Sequence, residues 1–194
     1  MGGVTQLFIK RRYGAGLETA PAVDCNQHGI AGNVACAPFR QALIASRSVT
    51  ADLGLRAGDL RENIVVDFDG LYELPSGTVI KIGEVFMRLT FHCEPCKKVL
   101  KLVPFDRILH RRGVFGTFLN SGRITVGDTF IATDQKFEAI PYAIGERIAW
   151  YLRRHGASGM ATKLVHELGV PSSAASVMPQ LLRKLALFSG GSRA

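Results

Sequence analysis

The feature that most constrains the fold is a series of short apolar segments with alternating polarity along the first 140 residues. Their β-branched and aromatic residues favour strands, which are predicted at residues 4–9, 41–45, 63–68, 78–82, 85–91, 112–119 and 124–133. Gly, Pro, Asn, Asp and Ser fill the breaks and favour tight turns. One helix is predicted at residues 48–55. Many short strands at this spacing predict a mostly β fold, a barrel or closed sheet.

The pattern changes to helical spacing near residue 141. One apolar stripe recurs every fourth residue, at Ile144, Ile148 and Leu152. Two further stripes follow at residues 161–168 and 177–185, and glycines end both of them. The chain is therefore predicted to contain a β domain at residues 1–140 and a small α-helical C-terminal extension at residues 141–194.

Composition excludes several classes of protein. The 194 residues are 47% hydrophobic and 21% charged, a globular balance that excludes an intrinsically disordered chain and suffices for a core without disulfides. No apolar run approaches the roughly 18–20 residues that cross a bilayer. The basic run at residues 10–12 precedes no apolar stretch, which argues against a secretory signal. A soluble, cytoplasmic protein without membrane association is predicted.

The net charge of +8 is concentrated at the C-terminus. Residues 141–194 carry +5, while the remaining 140 residues carry +3. A basic excess favours anionic partners such as phosphates or nucleic acid, although a solvated basic surface gives the same composition.

The most informative segment contains two cysteines three residues apart, Cys93 and Cys96. A thiolate is both the nucleophile and the soft metal ligand, and nearby positive charge stabilises it. Cys96 is followed by Lys97 and Lys98, which favour its ionised form, and Pro95 restricts the backbone before it. The pair permits thiol redox chemistry or half of a zinc site.

The other two cysteines, Cys25 and Cys36, are expected to be buried, inert thiols. A tetrahedral zinc site would need them as the second pair of ligands. The ten residues between them exceed the usual ligand spacing, which argues against that site.

Four ordered stretches carry a resemblance to a known family. They are residues 29–33 with 39–43, residues 58–64 with 70–74 and 82–83, Pro95-Cys96, and residues 113–119 with 122–128. Together they resemble the MOSC domain, named for the C-terminal domain of molybdenum cofactor sulfurases. The resemblance spans about two thirds of the chain. The length and helical tail are most similar to the stand-alone bacterial members linked to resistance against hydroxylaminopurine bases.

The resemblance implies a β-barrel-like fold around a cleft. It also implies that Cys96 either ligates the molybdenum of a pterin cofactor, molybdopterin, or carries sulfur as a persulfide. Molybdenum-binding relatives reduce N-hydroxylated compounds. The chain departs from the family pattern at Asn33, where many relatives have an acidic residue. Because an amide can still hydrogen-bond, a structural role for Asn33 remains.

The predicted site contains six residues, listed here with their roles. The catalytic residues are Cys96, which is also the metal ligand, and His92; the cofactor-binding residues are Arg61, Asn63, Lys97 and Arg111. A guanidinium binds phosphate in a bidentate manner, and a histidine next to a thiol can tune it or relay a proton. The structural alternatives are an ion pair of Arg61 with a carboxylate, a turn amide for Asn63, a packed ring for His92 and a solvated pair for Arg111 and Arg112.

Three functions remain in competition. The first is a molybdenum-cofactor enzyme that reduces a small N-hydroxylated substrate, for which an electron-donor protein is compatible. The second is a sulfur carrier that transfers a persulfide from Cys96 to an acceptor. The third is a nucleic-acid-binding module at residues 160–185, which loosely resemble a helix-turn-helix; their small residues and internal proline favour a helical cap or a homodimer contact instead.

Overall fold

The computed structural model describes residues 1–34, 37–155, 167–168 and 180. The chain forms two compact units, Met1–Ala139 and Ile140–Ala194. The assignment of residues 1–140 and 141–194 as separate domains stays a prediction.

Strands dominate the described part of the first unit. They are β1 (Gly2–Ile9), β2 (Glu18–Ala20), β3 (Ala22–Asn26), β4 (Gly29–Ile30), β5 (Ala42–Ser46), β6 (Ile64–Val66), β7 (Thr78–Ile82), β8 (Val85–His92), β9 (Val114–Phe118), β10 (Gly122–Thr125) and β11 (Thr129–Lys136). The helices are short: α1 (Arg47–Asp52), α2 (Phe105–Ile108) and the 3₁₀ turns Asp69–Glu73 and Val99–Lys101.

Seven of these strands close into a mixed barrel. Their order is β11-β7-β8-β9-β5-β6-β1, and β1 returns to pair with β11. Gly2 lies opposite Phe130 and Gly3 opposite Thr129 at the closing pair. The β5–β6 pair is parallel and the other barrel pairs are antiparallel. The mostly β, barrel-like fold class is thereby confirmed.

Two apolar clusters fill the first unit. The larger one contains inward residues of the barrel strands, among them Leu7, Ile44, Ile64, Met87 and Phe130. The smaller one lies beside the barrel and contains Leu53, Leu60, Val99, Val103 and Ile108, with Cys96 packed against it. Each buried apolar side chain stabilises the fold by about 1.5–3 kcal/mol, so both clusters fix the segments from which they come.

Three short strands, β2, β3 and β4, were not predicted from the sequence. They are two to five residues long, and β3 pairs with β10, almost a hundred residues away. The single strand predicted at residues 124–133 is two strands, because Gly127 turns the chain with a φ of 97°.

The described part of the second unit contains the helix α3 (Ile144–His155), whose buried residues include Ile148, Trp150 and Tyr151. The Arg147 side chain is also buried, and its Nε donates to the carbonyl of Pro141 at 3.1 Å. The Tyr151 hydroxyl donates to Glu167. Within the described residues, no helix combines the length and apolar character that a membrane crossing needs.

Candidate functional site

Cys96 lies in the connection between β8 and the 3₁₀ turn Val99–Lys101. Its carbonyl accepts a hydrogen bond from the Leu100 N–H at 2.9 Å, which fixes the backbone as a turn. The side chain is partly exposed and packs against the smaller apolar cluster. The sulfur is therefore held in place and is still accessible to a ligand.

The environment of Cys96 favours the thiolate. Burial raises its pKa, but backbone N–H groups of Val99 and Lys98 and the charges of Arg112 and Arg61 outweigh that effect, so the pKa lies below its ordinary value. The sequence pointed to the lysine side chains instead. The largest stabilising contributions come from two backbone amides and two distant arginines.

Arg112 is the site residue that sequence reasoning missed. Its side chain is only 7% exposed, and one terminal nitrogen, Nη1, donates to the carbonyl of Glu94 at 2.5 Å. Its Nε is buried and has no acceptor among the described residues. A buried guanidinium that retains a free donor, and whose charge lowers the pKa of the Cys96 thiol, is suited to an anionic ligand.

No sequence signal separates Arg112 from its neighbour Arg111. Arg111 binds the Asp52 carboxylate at 2.6 Å and belongs to a surface ion pair. Asp52 lies almost sixty positions earlier in the sequence, so only the fold shows which of the two arginines is paired. Arg111, which was predicted to bind the cofactor, already has a carboxylate partner.

Arg61 is held by the turn at residues 58–63. Gly58 begins the turn with a φ of 95°, and its N–H donates to the buried Glu62 carboxylate at 2.7 Å. Leu60 is fully buried in the smaller cluster, on which Cys96 also packs. Arg61 itself has a φ of 66°, a left-handed conformation that is costly for a non-glycine residue.

The Arg61 guanidinium donates weakly to the carbonyl of Ala15 at 3.5 Å and makes no ion pair within the described residues. The structural alternative, an ion pair of Arg61 with a carboxylate, is therefore not found in the part of the chain that the structure describes. Its charge acts on the Cys96 thiol instead. Burial raises the pKa of Glu62, so that side chain serves the turn rather than Arg61.

Asn63 is buried and its amide joins three parts of the fold. Its Oδ1 accepts from the Leu43 N–H at 3.2 Å, while its Nδ2 donates to the Phe8 carbonyl at 3.2 Å and to Asn33 Oδ1 at 3.4 Å. Asn33 Oδ1 also accepts from the Lys10 N–H at 2.8 Å. These bonds match the structural alternative, and a contact of Asn63 with the cofactor stays a prediction.

His92 ends β8 and is partly buried. Its ring stacks on Tyr72 with centroids 6.2 Å apart, and its Nδ1 lies 2.9 Å from the carbonyl of His110. A carbonyl only accepts, so Nδ1 carries the hydrogen. Burial is the main cause that lowers the His92 pKa, and the ring is neutral at neutral pH. Its catalytic role stays a prediction.

The remaining site candidates separate by exposure. Lys97 is exposed at the edge of the site. Cys93 is fully buried with its pKa raised to about 11, and Cys25 is buried with its pKa raised to about 12, chiefly through burial in both cases. The expected burial of Cys25 is confirmed, and its inertness stays a prediction. Cys36 and most of the predicted helix-turn-helix at residues 160–185 lie outside the described residues.

Part of the chain is similar to a known protein family. Residues 37–130 match the family model of the MOSC domain, a segment that contains Arg61, Cys96 and Arg112. No curated protein sequence matches the chain.

Solved structures share the fold at low identity. The YuaD protein from Bacillus subtilis is 16% identical with a TM-score of 0.60, and the match covers 71% of this chain and 98% of that one. YiiM from Geobacillus stearothermophilus is 12% identical with a TM-score of 0.57, covering 94% of this chain and 100% of that one. YiiM from Escherichia coli is 14% identical with a TM-score of 0.50, covering 99% and 96%. At these identities the likeness concerns the fold alone.

Proposed function

We propose that this protein, whose residues 37–130 match the family model of the MOSC domain, binds a molybdenum–pterin cofactor through Cys96 and reduces N-hydroxylated compounds. The observation that supports this most is the pairing of a partly exposed thiol with the buried, incompletely bonded guanidinium of Arg112. A thiolate is a soft metal ligand, and a guanidinium is a phosphate ligand. These two side chains thus offer one ligand for the metal and one for the phosphate of a pterin cofactor.

The residues present fit such a group. Cys96 would be the thiolate ligand of the metal, and Arg112 and Arg61 would bind the phosphate of the pterin. Lys97 is exposed beside Cys96 and would add charge at the rim of the site. The cofactor, when bound, supplies the redox centre, while the protein supplies orientation and electrostatics.

The reaction needs protons as well as electrons. Reduction of an N–OH group to N–H takes two electrons and two protons, and it releases water. His92 is neutral at neutral pH, and its Nδ1 hydrogen is committed to the His110 carbonyl. The other ring nitrogen is then unprotonated, so it would take up a proton from solvent and pass it to the substrate, which is the proton relay that the sequence predicts for His92.

Turnover by loaded protein tests this function. Protein purified from a host that makes the cofactor is assayed with a hydroxylaminopurine base and reduced methyl viologen as a small electron donor. The wild type and the Cys93→Ala variant should both turn over, because Cys93 is buried away from ligands, whereas Cys96→Ser should be inactive. Absence of turnover in wild-type protein that contains molybdenum would contradict the proposal.

A sulfur carrier is the second candidate, since the accessible, low-pKa thiol of Cys96 suits a persulfide equally well. Intact mass after treatment with a persulfide donor distinguishes the two functions. A carrier gains about 32 Da, one sulfur atom, on Cys96, and transfers it to an acceptor. An adduct that is absent from the wild type, or that persists in Cys96→Ser, counts against this candidate.

A further inference from the structure

A second surface feature lies directly beside the site, and its side chains belong neither to the barrel core nor to the site. In the segment after Cys96, three apolar side chains point to solvent: Leu100 is 41% exposed, Leu102 54% and Phe105 55%. The exposed Lys98 and Lys101 lie among them. We call these five residues the basic–apolar strip.

The strip is not a remnant of core packing. The same segment buries Val99, Val103 and Ile108, which complete the smaller apolar cluster from the inner side. The segment is also held to the rest of the unit, because the Arg107 side chain donates to the Asp52 carbonyl at 2.9 Å. Three large apolar side chains are therefore exposed within six residues of a segment that is otherwise well packed, and a cluster of exposed apolar side chains marks an interaction site.

We propose that the basic–apolar strip is the docking surface for a small acidic electron-carrier protein with an apolar centre to its contact face. The inference rests on the proposed function, since a reductase must receive two electrons for each turnover from outside. The position of the strip next to Cys96 supports the proposal. The Leu100 N–H donates to the Cys96 carbonyl at 2.9 Å, so a carrier bound to the strip lies beside the residue that carries the thiol.

Net charge and helix length favour an acidic carrier over a second copy of the chain and over a lipid surface. A second copy of the chain would bring together two molecules that each carry +8, which opposes association, whereas an acidic partner complements the lysines. A lipid surface calls for a long amphipathic helix. The helical elements here span only three and four residues, Val99–Lys101 and Phe105–Ile108, and the three exposed apolar side chains lie within them (Leu100 and Phe105) or between them (Leu102). That is the size of a protein hot spot.

Binding measured without turnover tests the proposal separately from the proposed function. Calorimetric titration uses purified flavodoxin and plant-type ferredoxin, both acidic carriers, with the basic protein cytochrome c for comparison. The test variants are Leu102→Ser/Phe105→Ser and Lys101→Glu. The matched controls are Val126→Ser, at an apolar side chain 43% exposed elsewhere, and Lys136→Glu.

We expect an acidic carrier to bind the wild type at low salt and to weaken as salt rises. The double variant should weaken binding about tenfold or more and Lys101→Glu about threefold, with both controls within about twofold. The proposal is overturned if neither carrier binds or if the variants bind as the wild type does. Strip-dependent binding to phosphatidylglycerol vesicles would assign the strip to a membrane, and strip-dependent self-association would assign it to a second copy. Because no step requires molybdenum, failure here leaves the proposed function intact.

Discussion

At the scale of the residue, the chemistry of the site depends on a few groups that sequence position does not reveal. The thiol of Cys96 is predictable from its motif. Its low pKa is produced by backbone amides and by Arg112 and Arg61, which reach it only in the folded chain. Arg112 resembles a surface residue in the sequence and is buried in the structure. Burial of a charge near a thiol depends on the whole fold, so local patterns cannot predict it.

The reactivity of Cys96 should therefore follow an acid-shifted titration. We expect its rate of alkylation by iodoacetamide to rise with a midpoint below the ordinary value of 9.0. Cys93 and Cys25 should stay unlabelled in native protein, since they are buried and their pKa values are raised. Peptide mass spectrometry across pH measures each site. Arg112→Met should move the Cys96 midpoint upward, and a wild-type midpoint at or above 9.0 contradicts this account.

The backbone conformation of Arg61 should lower the stability of the fold, while its side chain should contribute to cofactor binding. A non-glycine residue at a φ of 66° costs roughly 1–2 kcal/mol, and glycine relieves that strain while it adds entropy to the unfolded chain. Arg61→Gly should thus leave the free energy of unfolding unchanged or raise it by up to about 1 kcal/mol. It should also lower cofactor content. Arg12→Gly, at an exposed arginine without a positive φ, is the control that should not gain stability in urea unfolding.

At the scale of the element, two loops make the site and the barrel strands carry them. The turn at residues 58–63 buries Leu60 and Glu62 and leaves Arg61 to act on Cys96. Alternation predicted most barrel strands, because their inward positions are apolar. It missed β2 (Glu18–Ala20) and β4 (Gly29–Ile30), because strands of two or three residues show no period and depend on pairing with distant partners.

The buried side chain of Asn63 should stabilise the fold by joining two strands through hydrogen bonds, unlike an amide at the surface. Its side chain bonds the backbone of β1 at Phe8 and of β5 at Leu43. Asn63→Ala should lower the free energy of unfolding by about 2–3 kcal/mol, because it leaves buried backbone groups unpaired. Gln27→Ala, which truncates an exposed amide, should change it by less than about 0.5 kcal/mol in the same denaturation assay. Equal effects of the two substitutions would contradict the assignment.

At the scale of the whole molecule, the sequence predicts the fold class but not the order in which the strands pair. Short alternating segments predict a closed β structure. Closure itself depends on the pairing of β1 with β11 and on one parallel pair, β5 with β6. Those contacts join strands far apart in the chain, and no local signal encodes them. The site inherits this dependence, since Arg61 comes from the connection before β6, whereas Cys96 and Arg112 lie near opposite ends of the connection from β8 to β9.

The global stability of the molecule should fall in mild acid through His92. Burial lowers its folded pKa below 6.5, so the unfolded chain binds the proton first and stability is lost as pH falls from about 6.5 toward the folded value. Glu62 acts in the opposite direction, because burial raises its pKa. The substitution His92→Gln removes the pH dependence that His92 contributes and leaves that of Glu62 in place. Thermal unfolding between pH 7.5 and pH 5 should show a smaller loss in the variant, and an equal loss would refute the assignment.

The central claim is that the Cys96 thiolate and its two arginines hold a molybdenum–pterin cofactor. The most direct measurement is the molybdenum and pterin content of the full chain purified from a host that makes the cofactor. The account predicts about one of each per chain in the wild type and in Cys93→Ala, and neither above background in Cys96→Ser. Wild-type protein that contains no molybdenum and no pterin, or a Cys96→Ser variant that retains both in full, would contradict it.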